Sequence, residues 1–205
     1  MKIALLGATG AVGGPFLNKA LAACHEVKAL VSTPKKLREH ASFSKLKGDD
    51  TNPSDVAKFI SGADVVVSCL CNVKAVLIME KAAEAILQAA AEQSNPPKCL
   101  FVSSIGCGAM SWLVNQMLQM IGVRSIFADY ERADARISRE GEVPYVLVRP
   151  AAVKEKPGNG KYRVFQGDGT LTRPMAKEDV AEFLLDAISS NQWGGHGGLQ
   201  LAGMK

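Results

Sequence analysis

Short apolar runs and amphipathic stretches alternate along the chain. Lys2–Leu6 is an apolar run that stops at Gly7, the pattern of a strand covered on both faces of a parallel sheet. Gly13-Gly14-Pro15 opens a helical pattern through Cys24, with Pro tolerated in the first turn. Glu26–Val31 predicts a second strand, Pro34–His40 a short basic helix or turn, and Lys45–Gly48 a third strand running into Asp49-Asp50. A helix follows over Pro53–Ser61, stopped by Gly62, then a strand over Asp64–Ser68 and a long Ala-rich helix over Lys74–Gln93. Lys98–Ser103 predicts a fifth strand, Ser125–Glu140 an exposed, charged helix, and Pro144–Arg149 a sixth strand. Lys177–Ser189 predicts a helix and Leu199–Ala202 a short final strand. This alternation is that of an α/β fold, a doubly wound parallel sheet with helices on both faces. Residues Ala151–Pro174, rich in Gly, Pro and Lys, fall outside the rhythm and predict a small cap over the carboxyl edge of the sheet.

Composition narrows the picture. At 205 residues the chain is long enough for one domain with its own core, and 47% hydrophobic with 21% charged residues excludes a disordered chain. The net charge of +4 is mild, and no Lys/Arg run carries interleaved aromatics, so no nucleic-acid partner is expected. Five cysteines (24, 69, 71, 99 and 107) make an odd count with no CxxC pair, which reads as reduced thiols in a cytoplasmic protein. His25, His40 and His196 have no ligand-spaced partners, so no metal is expected. Two segments imitate membrane signals. Met1–Cys24 looks like a lipoprotein signal, but Asn18, Lys19 and four glycines interrupt its apolar centre. Residues 99–123 carry no formal charge, yet their Ser, Asn, Gln and Gly content suits a strand, a loop and a Met-rich helix rather than a span, so no membrane is expected.

The chemistry begins at Gly7-Ala8-Thr9-Gly10-Ala11-Val12-Gly13, a GxxGxxG run between the first strand and first helix. Gly7 permits a tight turn, Gly10 lets backbone approach a pyrophosphate, and Gly13 lets helix and strand pack closely. The helix N-terminus then faces the phosphates with free N–H groups. An NAD-selective site places an acid at the end of the second strand. Here that strand runs into Ser32-Thr33-Pro34-Lys35-Lys36, whose hydroxyls and lysines suit a 2′-phosphate, so NADP(H) is expected ahead of NAD(H).

Taken with Gly48-Asp49, Val102-Ser103-Ser104 followed by Gly106, and Val148-Arg149-Pro150, this loop resembles the atypical short-chain dehydrogenase/reductases of the NAD(P)H-binding, NmrA-like type. The chain looks most similar to the small one-domain biliverdin/flavin reductase group, and the ordered motifs span most of it. The resemblance implies a Rossmann-like fold and a set of roles. Gly7, Thr9, Gly10, Ala11 and Val12, with Gly13 behind them, would line the pyrophosphate. Ser32, Thr33 and Lys36 would lie near the adenosine 2′ position, although the family often carries arginine where Ser32 stands. Asp49 and Asp50 would flank the adenine. Cys69, Leu70 and Cys71 would lie against the nicotinamide ribose, Ser103 and Ser104 near the nicotinamide and substrate, and Pro150, Ala151, Ala152 and Val153 along the carboxamide.

The departure lies at the Tyr-x-x-x-Lys pair of classical relatives. Tyr130 is the one good tyrosine candidate, and Asp134 stands where lysine would. A carboxylate there raises a phenol pKa instead of lowering it, so Tyr130 is a poor general acid; it is either an active-site group or a helix-surface tyrosine. Ser104, at the carboxyl edge, either bonds a substrate carbonyl or caps a turn. Cys107 lacks a neighbouring base for nucleophilic catalysis. Met110, Trp112, Met117 and Met120 mark an apolar helix over 110–121 that packs in the core, walls a flat aromatic substrate, or meets a protein partner. The expected activity is reduction of a small acceptor (a flavin, quinone or conjugated carbonyl) by direct hydride transfer, in a monomer or homodimer. The alternatives are a non-catalytic NAD(P)-binding regulator of the NmrA kind and, third, an NAD-dependent epimerase.

Overall fold

A computed structural model describes residues 1–32, 39–71, 77–104, 120, 124–166, 173–193 and 196–204. Ten strands lie among the described residues: β1 (Lys2–Leu6), β2 (Glu26–Val31), β3 (Phe43–Lys47), β4 (Val65–Ser68), β5 (Lys98–Val102), β6 (Tyr145–Pro150), β7 (Val153–Lys154), β8 (Tyr162–Gln166), β9 (Met175–Ala176) and β10 (His196–Gly203). Five helices accompany them: α1 (Gly13–Ala22), α2 (Pro53–Ile60), α3 (Ile78–Ala91), α4 (Arg124–Ile137) and α5 (Lys177–Ser189). Eight strands form one sheet in the order β3-β2-β1-β4-β5-β6-β10-β8. Every neighbouring pair is parallel except β10 with β8. A second, two-stranded sheet pairs β7 with β9. The order reverses direction between β1 and β4, the crevice where ligands bind in open α/β sheets.

Strand alternation divides the core into two layers. Ile3, Leu5, Val65, Val67, Leu100, Val102, Val146 and Val148 face α1 and α5, meeting Phe16, Leu17, Phe183 and Leu184. Ala4, Leu6, Val66, Phe101 and Leu147 face α2, α3 and α4, meeting Phe59, Ile86 and Ile137. Both faces are covered, so the central strands read as continuous apolar runs.

Several expectations are adjusted. The third strand lies earlier than its sequence pattern suggested, because Phe43 is its buried anchor and Gly48-Asp49-Asp50 fall beyond its end. The last strand is longer, since β10 is paired on both sides. Helix α4 is not simply exposed: Asp129, Tyr130, Ala133, Asp134 and Ile137 are buried along one face. Within 151–174 the described residues hold β7 and β8, and β8 extends the main sheet. Residues 33–38 of the basic turn, 105–119 with Gly106, Cys107 and most of the Met/Trp helix, and 167–172 lie outside the described residues. Met120 is described, and exposed. Among the described residues no helix is long and apolar enough to cross a membrane.

Helix α2 shows how local sequence sets an element. Asn52 Oδ1 accepts hydrogen bonds from Ser54 N at 3.0 Å and Asp55 N at 3.2 Å, and Pro53 opens the helix. Asn52→Ala should cost about 1 kcal/mol in urea denaturation; an unchanged midpoint would mean that packing of Val56, Phe59 and Ile60 alone holds the helix.

Candidate functional site

The loop between β1 and α1 folds onto the end of β4. Gly7 has φ +76°, and a β-carbon there would press into the Cys69 carbonyl and come within 2.9 Å of Leu70 N. A β-carbon on Gly13 would press into the Gly7 carbonyl and reach Ala8 Cα at 3.2 Å. Gly10 donates its N–H to Gly7 O at 2.9 Å and is tight against the same oxygen. The three glycines therefore let strand, loop and helix meet at backbone distance. Thr9 and Ala11 are exposed above them, while Val12 is buried at the helix start.

The first turn of α1 carries no side-chain cap and no acidic residue, so the positive end of the helix dipole is left for an anion. A cleft of about 660 Å³ opens beside it, lined by Thr9, Gly10, Ala11, Asn18, Glu155 and Lys177 among others. Bare glycine backbone, an uncapped helix start and adjoining open space fit a dinucleotide pyrophosphate.

The ends of β2 and β3 lie to one side of this loop. Ser32 is exposed just past β2, whereas Thr33 and Lys36 lie outside the described residues. Asp49 Oδ1 accepts from Thr51 N and Thr51 Oγ1, each at 2.8 Å, and these bonds hold the carboxyl below its usual range. Asp49 N in turn donates to Asp55 Oδ2 at 3.0 Å, so this residue organises the turn into α2. Asp50 is half-buried, and its pKa is raised by burial first and the Asp49 charge second.

To the other side stand the ends of β4, β5 and β6. Cys69 is buried and its thiol is pushed up to about 12 by burial, so it is an inert packing group beneath the loop. Leu70 is half-buried and Cys71 exposed. Ser103 is buried, with its N–H on Val148 O at 2.7 Å, and Ser104 is half-buried. Pro150 ends β6; Ala151 is buried and donates to Leu201 O at 2.7 Å. Ala152 is exposed, its carbonyl accepting from Met175 N at 3.0 Å, and Val153 is exposed in β7.

Of the two readings of Tyr130, the helix-surface tyrosine is corrected: it is 7% exposed and packs in the α2/α3/α4 layer. With Ser68, Met79, Phe101, Ser103 and Asp134 it lines a cavity of about 10 Å³, room for one water and no substrate. Asp134 points to a different partner: its Oδ2 accepts from Arg149 Nε at 2.7 Å, and both groups are buried. Burial raises the Asp134 pKa, against the opposing pull of the Ser103 hydroxyl and Arg149. Gly198, at φ +59°, makes room for the Arg149 guanidinium.

The site reading from sequence missed this pair and Asp129, which is wholly buried and accepts from Ile78 N, Met79 N and Glu80 N at 3.0, 3.1 and 3.2 Å. A signal existed for Asp134: Tyr130, Ala133, Asp134 and Ile137 fall at i, i+3, i+4 and i+7, the spacing of a buried face.

Solved structures of other proteins share this architecture. An oxidoreductase of Lactococcus lactis superposes with a TM-score of 0.85 at 18% identity, covering 100% of this chain and 92% of its own. A candidate NADH-flavin reductase of Streptococcus pneumoniae gives 0.81 at 17% identity, covering 100% of both chains. ChuY, an anaerobilin reductase of Escherichia coli O157:H7, gives 0.77 at 18% identity, covering 100% and 99%. At these identities the likeness speaks for the fold. A family model described as NAD(P)H-binding matches residues 7–191, which begin at the first glycine of the loop and run through every strand end that borders it. The chain belongs to this NAD(P)H-binding family, with a Rossmann-like fold built around its N-terminal glycine loop.

Proposed function

We propose that this chain is an NADPH-dependent reductase of a small conjugated acceptor, a flavin, quinone or conjugated carbonyl, that needs no proton from a protein side chain in the hydride step. The observation that carries the reading is the fate of the tyrosine position. Tyr130 is buried in the helix layer, and the residue four places on is a carboxylate committed to Arg149. Alcohol and epimerase chemistry in this superfamily generally relies on a Tyr/Lys pair beside the nicotinamide, whereas a flavin or quinone can take its proton from water.

When bound, the reduced nicotinamide supplies the hydride. The protein holds and orients. Gly7, Thr9, Gly10, Ala11 and Val12 surround the pyrophosphate over the α1 N-terminus, with Gly13 keeping that helix close. Ser32, with Thr33 and Lys36, takes the 2′-phosphate, and Asp49 and Asp50 border the adenine. Cys69, Leu70 and Cys71 form one wall of the nicotinamide half. Pro150, Ala151, Ala152 and Val153 form the other through their backbone, with Ser103 behind. Ser104, half-buried just past β5, would offer its hydroxyl to an acceptor carbonyl and orient it for transfer. Ser104→Ala should lower kcat/KM about fivefold, the loss of one neutral hydrogen bond, while NADPH affinity stays unchanged. Loss of cofactor binding in that variant would remove Ser104 from this role.

The test is a calorimetric titration with NADPH, NADP+, NADH and NAD+, followed by FMN and a quinone in the same cell. Tighter binding of NADPH than NADH, then heat of turnover on adding an acceptor, is the expected outcome. Equal binding of oxidised and reduced forms without turnover would instead favour the regulator, which the same missing Tyr/Lys pair also permits.

A further inference from the structure

We infer that helix α4 is a brace for the nicotinamide half of the site, with its two buried aspartates, Asp129 and Asp134, acting as positioning residues for the two walls. The inference rests on the placement of Cys69–Cys71 and Pro150–Val153 proposed above.

Asp129 caps a helix other than its own. Its carboxylate accepts three backbone N–H groups at the start of α3, where Leu77 offers no side-chain cap. These are the orphan donors of a helix start, and the negative charge sits at the positive end of the α3 dipole. A Ser or Asp at position 77 would satisfy the same donors locally. Supplying the acceptor from α4 instead ties the two helices in one register. Arg132 and Glu80, bonded at 3.0 Å between the same two helices, add an exposed second link. Leu70 of the first wall packs against the layer that holds Met79 of α3 and Tyr130 of α4, so by tying those two helices together Asp129 steadies the layer behind that wall.

Asp134, five residues on, reaches the second wall. It accepts from Arg149 Nε at 2.7 Å, and Arg149 immediately precedes Pro150. Asp129 is 0% exposed, Asp134 3% and Arg149 8%. Burying carboxylates in this way is an inefficient source of stability, because apolar residues of similar volume commonly serve as well or better. What charged hydrogen bonds add is direction: apolar contacts allow helices to slide, whereas these bonds hold a fixed geometry. One rigid helix thereby sets the spacing between the strand ends that enclose the nicotinamide, a dimension that ligand positioning depends on.

The experiment compares whole cofactor with its adenosine half. Asp129→Asn and Asp134→Asn are titrated with NADPH and with 2′-phospho-ADP, which lacks the second ribose and the nicotinamide; NADH and ADP are run in parallel. Each variant should bind the whole cofactor about tenfold more weakly and the fragment within about twofold of wild type. Arg132→Gln, which cuts only the exposed link, should change neither. Equal loss for cofactor and fragment, or no loss for either, would overturn the brace. A wild-type protein that binds NADPH no more tightly than 2′-phospho-ADP, and NADH no more tightly than ADP, would show that the proposed nicotinamide placement itself is wrong, and the brace would fall with it. Should an aspartate variant not fold, amide exchange in the wild type gives the same answer. The amides of Ile78, Met79 and Glu80 should exchange more slowly with saturating NADPH than with saturating 2′-phospho-ADP, and equal rates would refute the coupling.

Discussion

Gly13→Ala should lose NADPH binding by more than about a hundredfold and destabilise the fold by about 1–3 kcal/mol, the usual range for forcing a methyl into a packed site. The atoms that a β-carbon would meet are all backbone: the carbonyl of Gly7, with its carbon at 2.8 Å, and Ala8 Cα at 3.2 Å. None can rotate aside as a side chain would. Relief requires α1 to lift from β1, which carries the helix start away from the loop and breaks the phosphate cradle. Gly14→Ala is the matched control for stability, because its β-carbon would meet only Ala8 O, at an ordinary 3.7 Å. Fluorescence titration and urea unfolding of both variants decide the matter. A Gly13→Ala protein with wild-type affinity would show that the helix start does not bind the cofactor.

The second large effect lies at the buried ion pair. Arg149→Met should cost about 3–5 kcal/mol, because it leaves the Asp134 carboxylate without its guanidinium in an apolar layer. The double variant Asp134→Leu/Arg149→Met should recover most of that loss, since removing both charges removes the desolvation penalty. The single variant also has a larger pH signature than the wild type. Burial already raises the Asp134 pKa, and Arg149 opposes the rise. Without Arg149 the folded form keeps this proton to a higher pH than the unfolded chain does. Between those two values the native state binds more protons, so stability falls as pH rises through the interval and levels off above it. Urea midpoints of Arg149→Met should therefore be higher in mild acid than at neutral pH relative to the double variant. Parallel pH profiles would contradict the account.

The sequence was most legible where constraints are local. Lys2–Leu6, Gly7–Gly13 and the following helix show themselves through adjacent apolar residues and glycine spacing, and each is found where the pattern placed it. The same holds for β4, β5 and β6, which are covered on both faces and so read as unbroken apolar runs. Strand β8 was hidden because its side chains are half-buried or exposed and its partner comes thirty residues later. Asp129 was hidden for a similar reason: the amides it holds lie 49 to 51 residues away. The overall polarity of α4 also disguised its buried face, since charged residues count as solvent-facing unless a partner is known. Arg149 stood in a motif used for its proline, and only the folded sheet shows that its guanidinium turns toward α4.

The sheet order also bears on how the protein is made. Strand β8 leaves the ribosome before β10, yet β10 is its only sheet neighbour among the described residues, and the same strand is the outer neighbour of β6. Until residues 196–203 emerge, β6 and β8 both lack the β10 partner that each has in the folded sheet. Any part of the sheet that forms in this interval has an unpaired border, and it is then that edge-to-edge association between neighbouring chains is most to be expected.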